Sequence, residues 1–109
     1  MRQLLTDFEL MILLAILRVG EDAYGVPIAR EIETTAKRNV VLAAVYAALA
    51  RLEERGLISS RQGAPTPARG GRAKRFFAVT GQGRRAVRET HRALTALWSG
   101  VPELKGGEA

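Results

Sequence analysis

The chain has 109 residues, 47% of them hydrophobic, with 17 Lys or Arg against 11 Asp or Glu and a formal net charge of +6. That is enough apolar material for one small core, which excludes a disordered basic tail, and the absence of cysteine excludes disulfide and thiol chemistry. The apolar run Leu10–Leu17 is too short to span a bilayer and lacks signal-peptide flanks, so the expectation is a cytoplasmic protein without a membrane role. The charge calls for an anionic partner, with nucleic acid ahead of acidic lipid.

The first predicted helix opens on a capping box. Thr6 is placed to accept from the Glu9 backbone while Glu9 reaches back to Thr6, with Leu5 and Leu10 at the positions of a hydrophobic staple. From Phe8 to Leu17 this helix is apolar nearly all round, so it needs cover on most sides, and Gly20 ends it. A second helix starts near Tyr24-Gly25-Val26-Pro27, where proline is tolerated in the first turn. Ile28, Ala29, Ile32 and Ala36 form its inward stripe, and Lys37, Arg38 and Asn39 break it.

The third helix runs from about Leu42 to Arg55. Leu42, Val45, Leu49 and Leu52 share one face, and Ala43, Ala47, Ala50, Arg51 and Glu54 the other. Gly56 is placed as its left-handed cap residue, with Leu57 as the accompanying apolar contact.

A hairpin follows. Leu57 to Arg61 reads as one strand and Arg75 to Thr80 as the next, with Phe77 and Val79 on one face and Phe76 and Ala78 on the other. The connection Gly63 to Gly71 is too long for a tight turn and too polar to bury, so it is expected to be mobile without a partner. Between Gly56 and Arg88 stand eight Arg or Lys residues and no acid, leaving the rest of the chain at −2. The basicity is concentrated where a hairpin adjoins a helix, an arrangement suited to gripping a phosphate backbone.

A fourth helix follows Thr80 and reaches about Ser99. Its apolar arc holds Ala86, Val87, Thr90, Ala93, Leu94, Leu97 and Trp98, wider than a domain this small needs. A helix from a second subunit is the simplest cover. The tail after Gly100 has no periodicity and is expected to fray.

Three helices and a two-stranded wing describe a mainly α fold with a small β-hairpin, a winged helix-turn-helix with one further helix. In order along the chain, Tyr24-Gly25, Val45-Tyr46 with Leu49, Leu52-Glu53 and Gly56-Leu57-Ile58, and then Gly70-Gly71-Arg72-Ala73-Lys74-Arg75-Phe76-Phe77 with Val79-Thr80 and Gly83, resemble the PadR-like transcriptional regulators. The resemblance covers roughly Thr6 to Trp98 and is similar to the short subgroup with a single C-terminal helix. It implies a winged helix-turn-helix DNA-binding domain over 1–80, a dimerisation helix over 81–99 and a disordered tail over 100–109. It also implies a homodimeric repressor that pairs through its first and fourth helices, with Phe8, Met11, Leu14, Val87, Leu94, Leu97 and Trp98 at the interface. The family often has Ser and Gly at the entry to the reading helix, where Val41 and Ala43 stand here, and Tyr in the wing, where Phe76 and Phe77 stand.

The expected partner is double-stranded DNA carrying a pseudo-palindromic operator. Arg61, Arg69, Arg72, Lys74 and Arg75 of the wing would hold backbone or minor groove and position the protein. Lys37 and Arg38 are weaker candidates for phosphate contact. On the third helix, Ala43, Ala44 and Ala47 offer methyl groups and no hydrogen bonds, and Arg51 lies two turns in, so direct reading of bases is expected to be modest and shape to carry more. Tyr46 fits a structural role under the helix and a phosphate contact equally well. Phe8, Met11 and Trp98 would line an effector pocket for a small aromatic or cationic compound, although dimer packing is the plainer reading of Trp98.

Gly81-Gln82-Gly83-Arg84-Arg85-Ala86 imitates a dinucleotide fingerprint, but neither a parallel strand nor a ribose-binding acid follows. A single histidine, His91, without cysteine makes no metal site. No nucleophile–base pair or carboxylate pair argues for catalysis, and no cofactor is called for. The rival from another class is a winged helix that docks a protein or a small molecule without a direct DNA role. Salt-dependent binding to DNA separates the two.

Overall fold

The computed structural model describes residues 4–64 and 74–104. It contains α1 (Asp7–Val19), α2 (Gly25–Ala36), α3 (Leu42–Glu54), β1 (Ile58–Gln62), β2 (Arg75–Val79) and α4 (Gly81–Ser99), with single 3-10 turns at Gly20–Asp22 and Pro102–Leu104. This is a winged helix-turn-helix followed by one long helix, as the sequence predicts. The expected mobility of the wing tip falls mainly on residues 65–73, and the expected disorder of the tail mainly on 105–109, both outside the described residues.

The capping box of α1 is closed on both sides: Thr6 Oγ1 accepts from the Glu9 amide at 3.2 Å and Glu9 Oε1 from the Thr6 amide at 2.9 Å. Glu9 also ties α1 to the end of α3, because Arg55 donates to its Oε2 at 2.9 Å. Burial pushes the Glu9 carboxyl up, but the Thr6 amide and the charge and hydrogen bond of Arg55 outweigh it and hold the group below the usual carboxylate range. A second pair, Arg18 with Glu31, links α1 to α2, and the Arg18 hydrogen bond lowers the Glu31 carboxyl.

α3 has no side-chain cap. Val41 is extended (φ −89°, ψ 129°) and offers no side-chain acceptor. The helix forms on alanine propensity and on Val45, Ala48, Leu49 and Leu52, all buried. It closes in a Schellman motif: the Leu57 amide reaches the Leu52 carbonyl and the Gly56 amide the Glu53 carbonyl, each at 3.0 Å, with Gly56 at φ 78°. Leu42, expected to face inward, is half-exposed, since it stands in the uncapped first turn. Ala36 is exposed too. α2 ends there, and Lys37 turns the chain away in the left-handed region (φ 58°, ψ 34°), a conformation that costs a non-glycine residue roughly 1 kcal/mol.

The core lies between the three helices and the hairpin. Ile12 and Leu13 of α1, Ile28 of α2, and Phe77 and Val79 of β2 close over the α3 residues. Each such side chain contributes about 1.5–3 kcal/mol by leaving water. β1 and β2 pair antiparallel, Ile58 opposite Val79 and Gln62 opposite Arg75, and the ladder continues through the Gly63 amide to the Lys74 carbonyl at 2.7 Å. The other edge of β2 is stitched at one point to the α1–α2 connection, where the Phe77 amide donates to the buried Ala23 carbonyl at 2.8 Å.

α4 docks by its first half only. Thr80 caps it, accepting from the Gly83 amide at 3.0 Å while its hydroxyl donates to the Gly56 carbonyl at 2.8 Å. Gly83 and Thr90 are its buried residues. Thr90, expected simply as part of the apolar arc, is a polar clasp: its hydroxyl accepts the Leu5 amide at 3.0 Å, which fixes the entry to α1. Beyond it Leu94, Leu97 and Trp98 are 52%, 73% and 58% exposed, so the apolar arc leaves the domain uncovered.

Candidate nucleic-acid interface

The outward side of α3 and the base of the wing meet around Tyr24 and Gly25. Gly25 is buried at the start of α2, and the hydroxyl end of the Tyr46 ring lies against its Cα, where a Cβ would stand. Next to it, Tyr24 meets Phe76 of β2 edge to face, with centroids 5.8 Å apart and planes at 83°. Two cations finish the stack: Arg61 lies 4.7 Å from the Phe76 centroid and Lys74 4.4 Å from that of Tyr24. Each such contact contributes about 0.5–1 kcal/mol at an exposed site. Their larger effect is positional. The row Tyr46, Gly25, Tyr24, Phe76 fixes the wing relative to the third helix, and the cations ride on it.

Arg61 is further held by a hydrogen bond to the Glu21 carbonyl at 3.3 Å. Arg75 donates to Ser60 Oγ at 3.1 Å, and the Ser60 hydroxyl donates to Glu53 at 2.6 Å. Arg61 and Lys74 thus stand on the Phe76 face of the wing base, and Arg75 stands on the opposite face, toward Ser60 and Glu53. Arg69 and Arg72 lie outside the described residues. On α3, Ala43, Ala44, Tyr46, Ala47 and Arg51 are exposed, and the alanines together with Val41, 69% exposed, make its outward side rich in methyl groups. Lys37 is exposed in the turn ahead of it. Arg38 is directed elsewhere: it pairs with Asp7 and lies over Phe8, back toward α1.

Tyr24 and Phe76 are missing from the sequence-derived site, although they carry its geometry. Their signal is an aromatic directly before glycine at the start of α2 and the aromatic pair Phe76-Phe77 in β2. For Tyr46, the contact with Gly25 supplies the structural role foreseen as one of its two readings.

Gly25→Ala separates packing from positioning. The new methyl collides with the far end of a half-exposed tyrosine that is able to swing away, so stability is expected to change by less than about 1 kcal/mol in urea titration. Tyr46 is expected to move, visible as a changed ring resonance in NMR spectra. An unshifted Tyr46 signal would place the ring elsewhere.

The expected dimer residues divide. Phe8, Met11 and Val87 are half-buried against the core, while Leu14, Leu94, Leu97 and Trp98 face outward. Between α1 and α4 runs a groove of about 710 Å³ floored by Leu10, Leu14 and Val87 and edged by His91 and Arg92. Trp98 makes no ring contact with Phe8 among the described residues. No described helix is long and apolar enough to cross a membrane.

The family model for the transcriptional regulator PadR-like family matches residues 13–89. Solved structures show the same fold. A PadR-like transcriptional regulator from Bacillus cereus superposes with a TM-score of 0.71 at 22% identity over 93% of each chain. A transcriptional regulator from Clostridium thermocellum gives 0.71 at 19% identity, covering 89% of this chain and 91% of its own. A PadR-like transcription factor from Bacteroides fragilis gives 0.71 at 23% identity, covering 89% and 88%. No curated protein sequence matches the chain.

Proposed function

The chain belongs to the PadR-like family of transcriptional regulators, and from that premise we propose that it is a homodimeric, sequence-specific DNA-binding repressor released by a small-molecule effector. The observation that carries this reading is the continuous surface of α3 and the wing base, methyl-rich on the helix and cationic at the hairpin, fixed by the Tyr46–Gly25–Tyr24–Phe76 row. α3 enters the major groove, where its alanines and Val41 meet thymine methyl groups, and Arg61, Lys74 and Arg75 take backbone phosphates.

The exposed arc of α4 supports pairing. A 19-residue helix is about 28 Å long, and half of it projects from the domain with its apolar arc bare. Two-fold pairing through α1 and α4 covers Leu14, Leu94, Leu97 and Trp98 and sets two copies of α3 about one helical turn of DNA apart, roughly 34 Å. An effector of small aromatic or cationic kind enters at Phe8, Met11 and Trp98 and changes the angle between protomers, and so the spacing of the reading helices. Bound across a promoter, the dimer blocks polymerase by occupancy.

The test is fluorescence anisotropy of a labelled DNA fragment from upstream of the protein's own gene, titrated at several salt concentrations. With six or more phosphate contacts per dimer, affinity is expected to fall about a thousandfold or more between roughly 50 and 200 mM salt. Absence of binding, or binding indifferent to salt, would overturn the reading.

A further inference from the structure

Arg38 stands in the turn that delivers α3, four residues ahead of its first helical residue, yet its side chain runs back to α1. Its guanidinium donates to Asp7 Oδ2 at 3.2 Å, touches Met11 Sδ at 3.8 Å and lies 5.0 Å from the centre of the Phe8 ring. A carboxylate, a thioether and an aromatic face from the first turns of α1 converge on one cation. The neighbouring acids are engaged elsewhere: Glu9 holds Arg55, and Glu33 accepts the Val40 amide at 3.4 Å. Asp7 is therefore the acid that meets Arg38.

We propose that this docked arginine is withheld from DNA, and that Asp7 sets the affinity of the reading head by competing with a backbone phosphate for Arg38. The inference rests on the DNA-binding reading above. Both members of the pair are exposed, with side-chain exposures of 42% for Arg38 and 78% for Asp7, so the pair is screened and weak. A phosphate offers the same planar fork a charge-assisted contact, which Arg38 takes only by giving up Asp7, Met11 and Phe8 together. The segment just ahead of a groove-bound helix is where the DNA backbone passes. Phe8 and Met11 are also residues assigned above to the subunit interface and effector pocket. Pressure on either of them bears directly on Arg38, so one side chain connects interface to reading head.

A double-mutant cycle on labelled operator DNA tests this. Asp7→Ala is expected to tighten binding about fivefold and to steepen the slope of log affinity against log salt by about 0.9 per protomer, one phosphate each. Arg38→Gln alone is expected to leave affinity within about twofold, and the double variant to match Arg38→Gln. Asp7→Asn, which keeps the side-chain shape at the start of α1, is expected to give the same direction. A gain that persists in the double variant would mean that removing any acid suffices, and would overturn the proposal, as would no gain at all. Salt-sensitive binding by the unaltered protein with a flat cycle sinks this inference alone; no binding by the unaltered protein sinks the DNA reading and this inference with it.

Discussion

Gly83→Ala is expected to destabilise the fold by roughly 2–4 kcal/mol, whereas Gly81→Ala, two residues earlier on the same helix, is expected to stabilise it by roughly 0.4–1 kcal/mol. The opposite signs follow from what lies beside each Cα. A methyl at Gly81 meets nothing within 4 Å, so it mainly removes conformations from the unfolded chain. A methyl at Gly83 runs into the Leu57 carbonyl oxygen and comes within 2.8 Å of Val79 Cγ1. That carbonyl is backbone and is already engaged, accepting the Thr80 amide at 3.1 Å. Moving it away strains the start of β1, and moving α4 away breaks the Gly83–Thr80 cap. The helix-propensity gain of about 1 kcal/mol for alanine does not offset an overlap with backbone. Urea unfolding followed by circular dichroism reads both variants. A Gly83→Ala protein as stable as the unaltered chain would mean that α4 does not seat on Leu57.

The same pair of glycines shows what the sequence states and what it conceals. The Gly81-Gln82-Gly83 spacing that imitates a dinucleotide fingerprint has another cause in the fold. Gly83 is there because α4 seats on the Leu57 backbone. Local signals were legible because their partners lie within a few residues: the Thr6–Glu9 box, Gly20, the Gly56–Leu57 stop, and Thr80 before α4. Pairs remote in sequence were not. Arg55 meets Glu9 across 46 residues, Leu5 meets Thr90 across 85, and no period or composition points to either.

The candidate site divides in the same way. The exposed alanines of α3 and the wing cations follow from helical period and charge. The Tyr46–Gly25 and Tyr24–Phe76 contacts require the fold itself. Arg38 shows the limit most plainly: a basic residue beside a reading helix suggests phosphate, and only the folded arrangement places its side chain on α1.

Replacing Arg61, Lys74 and Arg75 together by glutamine is expected to cost more DNA affinity than any other change short of unfolding. If all three reach phosphate in both protomers, six contacts vanish, and the slope of log affinity against log salt flattens by about five. Even one contact per protomer flattens it by nearly two. Part of any loss has another source, since Arg61 and Lys74 also cover Phe76 and Tyr24, and losing two exposed cation–π contacts costs about 1–2 kcal/mol of stability. Salt tells the two apart. A wing that has merely shifted weakens binding by a similar factor at every salt concentration, while lost phosphate contacts weaken it most at low salt and little at high salt. Thermal melts of the free protein measure the packing share independently. The reading in which these cations are only a solvated surface predicts an unchanged slope, and that outcome would remove the wing from the interface.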